Sequence, residues 1–349
     1  MKYFLFAFIV FAAASCNNSD KIPDVSNIKI DLKLDRFEND FFSIDTNNID
    51  AGLDRLHTKY PLFFQDFMGN ILGIDNDMIR QGTAKPAIIA FIRSYKTVYD
   101  SCAVSFRNFS SELESIKKGL QFVIHYFPQF KPPATVTTFI GPIDASYETS
   151  FGVQGDILTA DVFGIGLQLH LGKDFPMYKT KEAQSIYPEY ISKQFEPDFI
   201  AVNVMKNIVD DLFPVKSEDY GLVQQMVEKG KRLYLLSKFL PYTEEHKLIG
   251  YTAAELQLCR QNEAIIWELF TQNNLLQSTD KNIIKNYIGE SPKTQEIVND
   301  EGKNAPGNIG SFAGWQIVKK FMSKKPSTTL AQLMGMDPEV IYQESKYKP

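Results

Sequence analysis

Long apolar runs, basic clusters and metal-ligand motifs are all scarce in this 349-residue chain, and each scarcity removes a class of function. Beyond residue 14 no stretch approaches the roughly 20 apolar residues that a membrane-spanning helix needs, so the bulk of the chain should face water. Basic residues are outnumbered, 37 against 42 acidic, and no block of Lys and Arg gives the footprint of a nucleic-acid-binding protein. The histidines, His57, His125, His170 and His246, never fall at ligand spacing, and His-Glu-x-x-His and Cys-x-x-Cys are absent. There is no Gly-x-Ser-x-Gly elbow and no phosphate-cradling Walker loop. Gly164-Ile165-Gly166 lacks the third glycine of a dinucleotide loop, and reads as a strand whose glycines admit a close neighbour. No metal, cofactor or nucleic acid is expected, and no enzyme class finds its starting residue.

Cysteine is also rare, and the first of the three is the most informative residue present. Lys2 is followed by an apolar run, Tyr3 to Ala14, and then by Ala13-Ala14-Ser15-Cys16 at its end. A charged start, a short apolar region and small residues before a cleavage point make a secretory signal. Small residues ending on a Cys make the pattern of a bacterial lipoprotein signal. Residues 1–15 would be removed and Cys16 acylated, and two or three acyl chains hold a protein on a membrane durably, at about 0.8 kcal/mol per buried CH₂. The alternative is an ordinary secretory signal with a chance cysteine behind it. Cys102 and Cys259 sit in helical, apolar patterns and read as buried free thiols, with a single disulfide as the other option.

What remains after cleavage is rich in core-forming residues, with 27 Phe and 16 Tyr in the chain, which excludes disorder for most of its length. Residues 16–27 are polar and breaker-rich and read as a tether. Ile28, Ile30, Leu32 and Leu34 alternate with charged residues, the period of a half-buried strand. Helical periodicity follows: Ile49, Leu53 and Leu56 on one face, a long helix from Pro86 through Tyr99, and another opened by a Ser111-x-x-Glu114 capping box and closed before Pro128. Residues 134–171 are β-branched, aromatic and glycine-punctuated, predicting a small antiparallel sheet of three or four strands, four or five with Ile28 to Leu34 added.

From Gly172 to about residue 345 the pattern is helical. Phe199 to Phe213 is apolar on most sides, Ala254 to Leu276 carries Trp267, and Ser278 or Thr279 should cap Ile283 to Ile288. Asn299 to Gly310 reads as a polar loop, then Phe312, Trp315, Val318 and Met322 mark a helix, and Asp337-Pro338 starts a last one. The expected fold class is α+β, predominantly helical, with residues 28–349 forming one globular domain because no linker divides them.

Four carboxylates, Asp144, Glu148, Asp156 and Asp161, crowd the glycine-rich region. They are the candidate functional residues, as an acid/base pair or a cation site, but the plainer expectation is a solvated sheet face. His170 alternates with apolar neighbours and reads as a satisfied, half-buried strand histidine. Trp267 and Trp315 lie on helical apolar faces and read as core.

An ordered set of strings resembles one family. They are Tyr60-Pro61-Leu62-Phe63-Phe64, Leu171-Gly172-Lys173-Asp174-Phe175-Pro176-Met177-Tyr178, Gly230-Lys231-Arg232-Leu233-Tyr234-Leu235-Leu236, Ile249-Gly250-Tyr251-Thr252, Ala264-Ile265-Ile266-Trp267, and Ile309-Gly310-Ser311-Phe312-Ala313-Gly314-Trp315-Gln316-Ile317-Val318. In this order, behind a lipobox, they look like GldB, the gliding-motility lipoprotein family of Bacteroidota. The resemblance implies a membrane-anchored, periplasm-facing, non-catalytic protein. It would act with other envelope proteins of the gliding apparatus, in cells that also carry type IX secretion. It brings no catalytic residues with it. Competing functions are an envelope hydrolase using the sheet carboxylates and a lipoprotein that binds a peptide or envelope polymer in a groove beside the sheet.

The order of elements is also similar to zinc peptidases of the His-Glu-x-x-His kind. In those, a helix after the sheet supplies two His and a Glu, and a later Glu before a Gly completes the site. Here Asp198 to Leu212 would be that helix and contains no His, and Lys229 precedes Gly230. A fold of that type would be a degenerate one, lacking the metal site.

Overall fold

The computed structural model describes residues 21–215, 220–298, 302 and 304–349, so the expected signal segment and Cys16 lie outside the described residues. The architecture is predominantly helical α+β, as the periodicities predict. The chain is already docked at Val25, 1% exposed, ahead of strand β1 (Lys33–Arg36). Burial alternates along 28–34 as the period of two requires, but ladder pairing is confined to β1. Upstream, the Ile28 carbonyl accepts from the Gln121 side-chain amide at 2.8 Å instead of from a strand.

Helices α1 (Phe37–Phe42), α2 (Ile49–Lys59), α3 (Ala84–Ser94), α4 (Lys96–Ser105) and α5 (Ser110–Tyr126) then carry the chain to β2 (Thr135–Phe139). The helix expected from Pro86 through Tyr99 is broken at Tyr95, whose hydroxyl is pinned by the Ile143 N–H at 2.7 Å. No Ser111 capping box forms; the helix begins one residue earlier, and the Asn108 side chain accepts from the Ser110 N–H.

The rest of the sheet region is β3 (Tyr147–Thr149), β4 (Gly152–Gln154), β5 (Ile157–Leu158) and β6 (Val162–Gly166). β3 and β4 form a separate antiparallel ribbon, and the main sheet has the order β1-β2-β6-β5. The antiparallel expectation is corrected here: β1, β2 and β6 are mutually parallel and only β5 runs antiparallel to β6. The reason is the connection. The helical crossover between β1 and β2 is long enough for a parallel return, and strands covered on both faces read as continuous apolar runs. All five residues of β6 are buried.

Helices α6 (Ile200–Leu212) and α7 (Leu222–Phe239) follow, then α8 (Ala253–Gln261) and α9 (Glu263–Gln272), which divide the expected Ala254–Leu276 helix at Asn262. Asp280, rather than Ser278 or Thr279, caps α10 (Lys281–Ile288), its carboxylate accepting from the Asn282 and Ile283 N–H groups. A hairpin, β7 (Thr294–Val298) with β8 (Asn304–Ala305), occupies part of the segment expected as a loop. The chain ends in α11 (Ile309–Lys324) and α12 (Pro338–Ser345), the latter with Asp337 as cap and Pro338 in its first turn, as expected.

One apolar cluster runs from Leu32 to Tyr347 and includes β2, β6, α6, α7 and α11. Cys102 and Cys259 are buried within it as free thiols. Among the described residues no helix is long and apolar enough to cross a membrane.

Candidate functional site

The four candidate carboxylates do not converge. Asp144, Glu148 and Asp161 are exposed, as the solvated-face expectation has it, whereas Asp156 is only 1% exposed. That part of the expectation is wrong because Asp156 finds a full set of donors. Its side chain accepts from the Gly166 N–H at 2.9 Å, the Asn203 amide at 3.0 Å, and His170 Nε2 at 2.9 and 3.0 Å. Its carbonyl accepts from the Asn207 amide at 3.3 Å. Glycines make the approach possible: a Cβ on Gly166 would lie 2.8 Å from the Gly155 carbonyl oxygen.

His170 is buried, in the turn after Leu167–Leu169 rather than on a strand. Its Nδ1 faces the Glu196 carbonyl at 3.2 Å and its Nε2 faces Asp156, so both ring nitrogens meet acceptors. Two acceptors favour the doubly protonated imidazolium. Burial pulls the His170 pKa down, but the charge and hydrogen bond of Asp156 and the Glu196 carbonyl outweigh it, and the net direction is up. Asp156 and His170 therefore tie β6, α6 and the segment before Pro197 together. All their described polar atoms are occupied, which suits a structural clasp better than an acid/base pair.

Next to the clasp lies a cavity of about 410 Å³, between the β3–β4 ribbon, α6, α7 and the segment after α10. Asn203 and Asn207 point from α6 to Asp156, and Lys206, one turn on, lines the cavity. Lys206 is 5% exposed, and burial pushes its pKa down to about 8 despite the charges of Glu290, Asp156 and Asp210. Lys229 of α7 donates to the Ser150 carbonyl, its pKa lowered by burial and by the Arg232 charge. Glu290 accepts from the Val153 N–H, and burial raises its pKa against the pull of Lys206 and Lys229. Behind these, Asp210 accepts from the Ser150 N–H at 2.7 Å and from Arg232 at 2.8 Å, as well as from the Ser150 hydroxyl. Phe151, Ile191, Leu233, Leu248, Ile249 and Ile288 supply apolar wall.

Of the sequence candidates only Glu148 lines this cavity, at its exposed rim. Lys206, Lys229 and Glu290 were missed. Their one sequence signal is charge inside an apolar helical face, visible for Lys206 in Val202–Val209 and for Lys229 beside Gly230.

α6 lies on the stretch Asp198 to Leu212, where the sequence similarity to zinc peptidases would put a metal-binding helix. It carries Asn203 and Asn207, four residues apart, and both amides are engaged by Asp156. Amides and ammoniums are not zinc ligands, and among the described residues no group of three or more His, Cys, Asp or Glu is placed to hold a metal. Compared with known proteins, the chain matches the family model described as gliding motility protein GldB over residues 18–349. No curated protein and no solved structure matches it.

Proposed function

The chain belongs to the gliding motility protein GldB family, and from that premise we propose that it is a lipid-anchored, non-enzymatic component of the gliding machinery. It would be held at the membrane through Cys16 and face the periplasm, beside other envelope proteins of the apparatus and in cells that use type IX secretion. The observation that carries this reading is where the family match starts. Residue 18 lies two positions after Cys16, so the matched region follows directly on the acylation point. The lipoprotein label of the family supports the same anchor.

The absence of enzymatic chemistry is supported by the separation of Asp144, Glu148 and Asp161 from the buried Asp156, whose bonding capacity is spent on His170 and α6. A hydrolase using sheet carboxylates would need two of them to face one substrate. The test is complementation in cells lacking their own copy, with fatty-acid labelling of the protein. Parent and Asp161→Asn should restore spreading and carry label, while Cys16→Ser should carry none and fail to restore. A labelled Cys16→Ser protein, or full spreading with it, overturns the anchor; stoichiometric zinc in the purified protein, or loss of spreading with well-folded Asp161→Asn, overturns the non-enzymatic reading.

A further inference from the structure

The cavity beneath the β3–β4 ribbon holds more positive charge than its carboxylates match. Asp156 is taken up by His170, Asn203 and the Gly166 amide, and Asp210 by Arg232 and Ser150. Glu290 is then the one inner carboxylate facing two ammoniums, Lys206 and Lys229. At the rim, exposed Glu148 and exposed Lys285 offset each other.

The two ammoniums differ in one respect. Lys229 has the Ser150 carbonyl as acceptor. Lys206 has only through-space charge partners and, among the described residues, no hydrogen-bond acceptor or ion pair. The nearest aromatic ring is that of Phe151, at 5.8 Å from its Nζ to the centroid. An ammonium buried without an acceptor is costly to the fold, because the charge gives up its water and gains no hydrogen bond in return. Its head lines an open cavity rather than sitting sealed in the core. The missing acceptor can therefore come from outside the chain.

We propose that this cavity binds a carboxylate carrying an apolar body, with the carboxylate between Lys206 and Lys229 and the body against Phe151, Ile191, Leu248 and Ile249. A single negative charge balances the one ammonium left over, whereas a phosphate dianion would leave the cavity with an unmatched negative charge beside Glu290. The volume, about 410 Å³, lies within the range of about 300–1,000 Å³ found for small-ligand sites. Gly152 is part of the construction: its φ of +114° favours glycine, and the missing Cβ leaves the Glu290 carboxylate room beside the ribbon. Two sources share this chemistry, the carboxyl end of a peptide and a free branched organic acid. The inference does not depend on the gliding role and is tested apart from it.

The experiment is titration calorimetry on the full-length protein in detergent micelles. The probes are N-acetyl-alanyl-leucine, its C-terminal amide, and isocaproate. At least one of the two acids should bind saturably and the amide should not. Tighter binding of the peptide acid assigns a peptide end, and tighter binding of isocaproate assigns a free acid. Lys206→Met and Lys229→Met should each weaken the acid about tenfold or more, equivalent to about 1.4 kcal/mol, while keeping the parent's circular dichroism. If Lys206→Met does not fold, Lys229→Met carries the test. Equal binding of acid and amide, no binding of either acid at about 10 mM, or unchanged affinity in a folded lysine variant overturns the proposal.

Discussion

Gly230 of α7 and Gly314 of α11 meet backbone to backbone: a Cβ built on Gly230 would lie 2.2 Å from the Gly314 carbonyl oxygen. The contact is reciprocal along the same pair of helices, since a Cβ on Gly314 would lie 1.7 Å from the Met226 carbonyl oxygen. Both obstacles are main chain and cannot swing aside as a side chain would.

Gly314→Ala should therefore force the two central helices apart. Overpacking in a well-filled core costs about 1–3 kcal/mol, and a backbone obstacle puts this site at or above the top of that range. Urea denaturation should show a lower midpoint with an unchanged slope. A variant as stable as the parent would mean that α7 and α11 are not in this contact.

Trp315, one residue on, is fully buried, with the Lys319 ammonium 4.0 Å from its ring centroid. Trp315→Ala should cost about 3–5 kcal/mol, the usual range for a large buried aromatic. Among the described residues the indole N–H has no hydrogen-bond partner, so Trp315→Phe removes an unsatisfied donor along with volume. Its cost should stay below about 2 kcal/mol. Thermal melting of the two variants side by side checks the ordering, and a Phe variant as damaged as the Ala variant would contradict it.

The His170–Asp156 clasp predicts a pH effect of definite sign. The folded-state pKa of His170 lies above the ordinary 6.5, so folding is favoured by proton binding. That stabilisation is fully present below pH 6.5 and is lost as pH rises through the raised folded value. Compared with His170→Asn, the parent should have its largest stability advantage at acid pH and a smaller one at alkaline pH. Denaturant midpoints measured from pH 5 to pH 9 decide it, and an advantage that grew with pH would reverse the assignment.

We further propose one cooperative unit from Val25 to the C-terminal residues, because the apolar cluster is continuous through the sheet and the helices. Limited proteolysis should trim the chain ahead of Val25 and then cut in Asn299-Asp300-Glu301-Gly302-Lys303, which carries no apolar anchor. Two stable fragments parting near Gly172 would divide the unit instead.

Features with a local cause were legible in the sequence. Asp337-Pro338 starts a helix because a short carboxylate and a proline suit a first turn wherever they occur, and α12 begins there. The stretch Val136 to Ile140 is β-branched and aromatic, and β2 lies on it. Phe312, Trp315, Val318 and Met322 fall at helical spacing, and α11 lies on them. Errors came where a local signal met a distant competitor. Tyr95 breaks a well-patterned helix because its hydroxyl is held by Ile143, 48 residues away in the chain. Parallel pairing of β1 with β2 depends on how the intervening helices pack, which no strand's own residues record.

Charge shows the division most clearly. The order of residues alone shows that Asp144, Glu148, Asp156 and Asp161 cluster along the chain, and that Ala13-Ala14-Ser15-Cys16 precedes all of them. It takes the folded chain to bring Asp156 off the surface to His170 and Asn203, and to gather Lys206, Lys229 and Glu290 around one cavity. A cap or a helical period acts over a few residues. Whether a charge can be buried depends on partners brought in from far along the chain, and those are known only once the fold has closed.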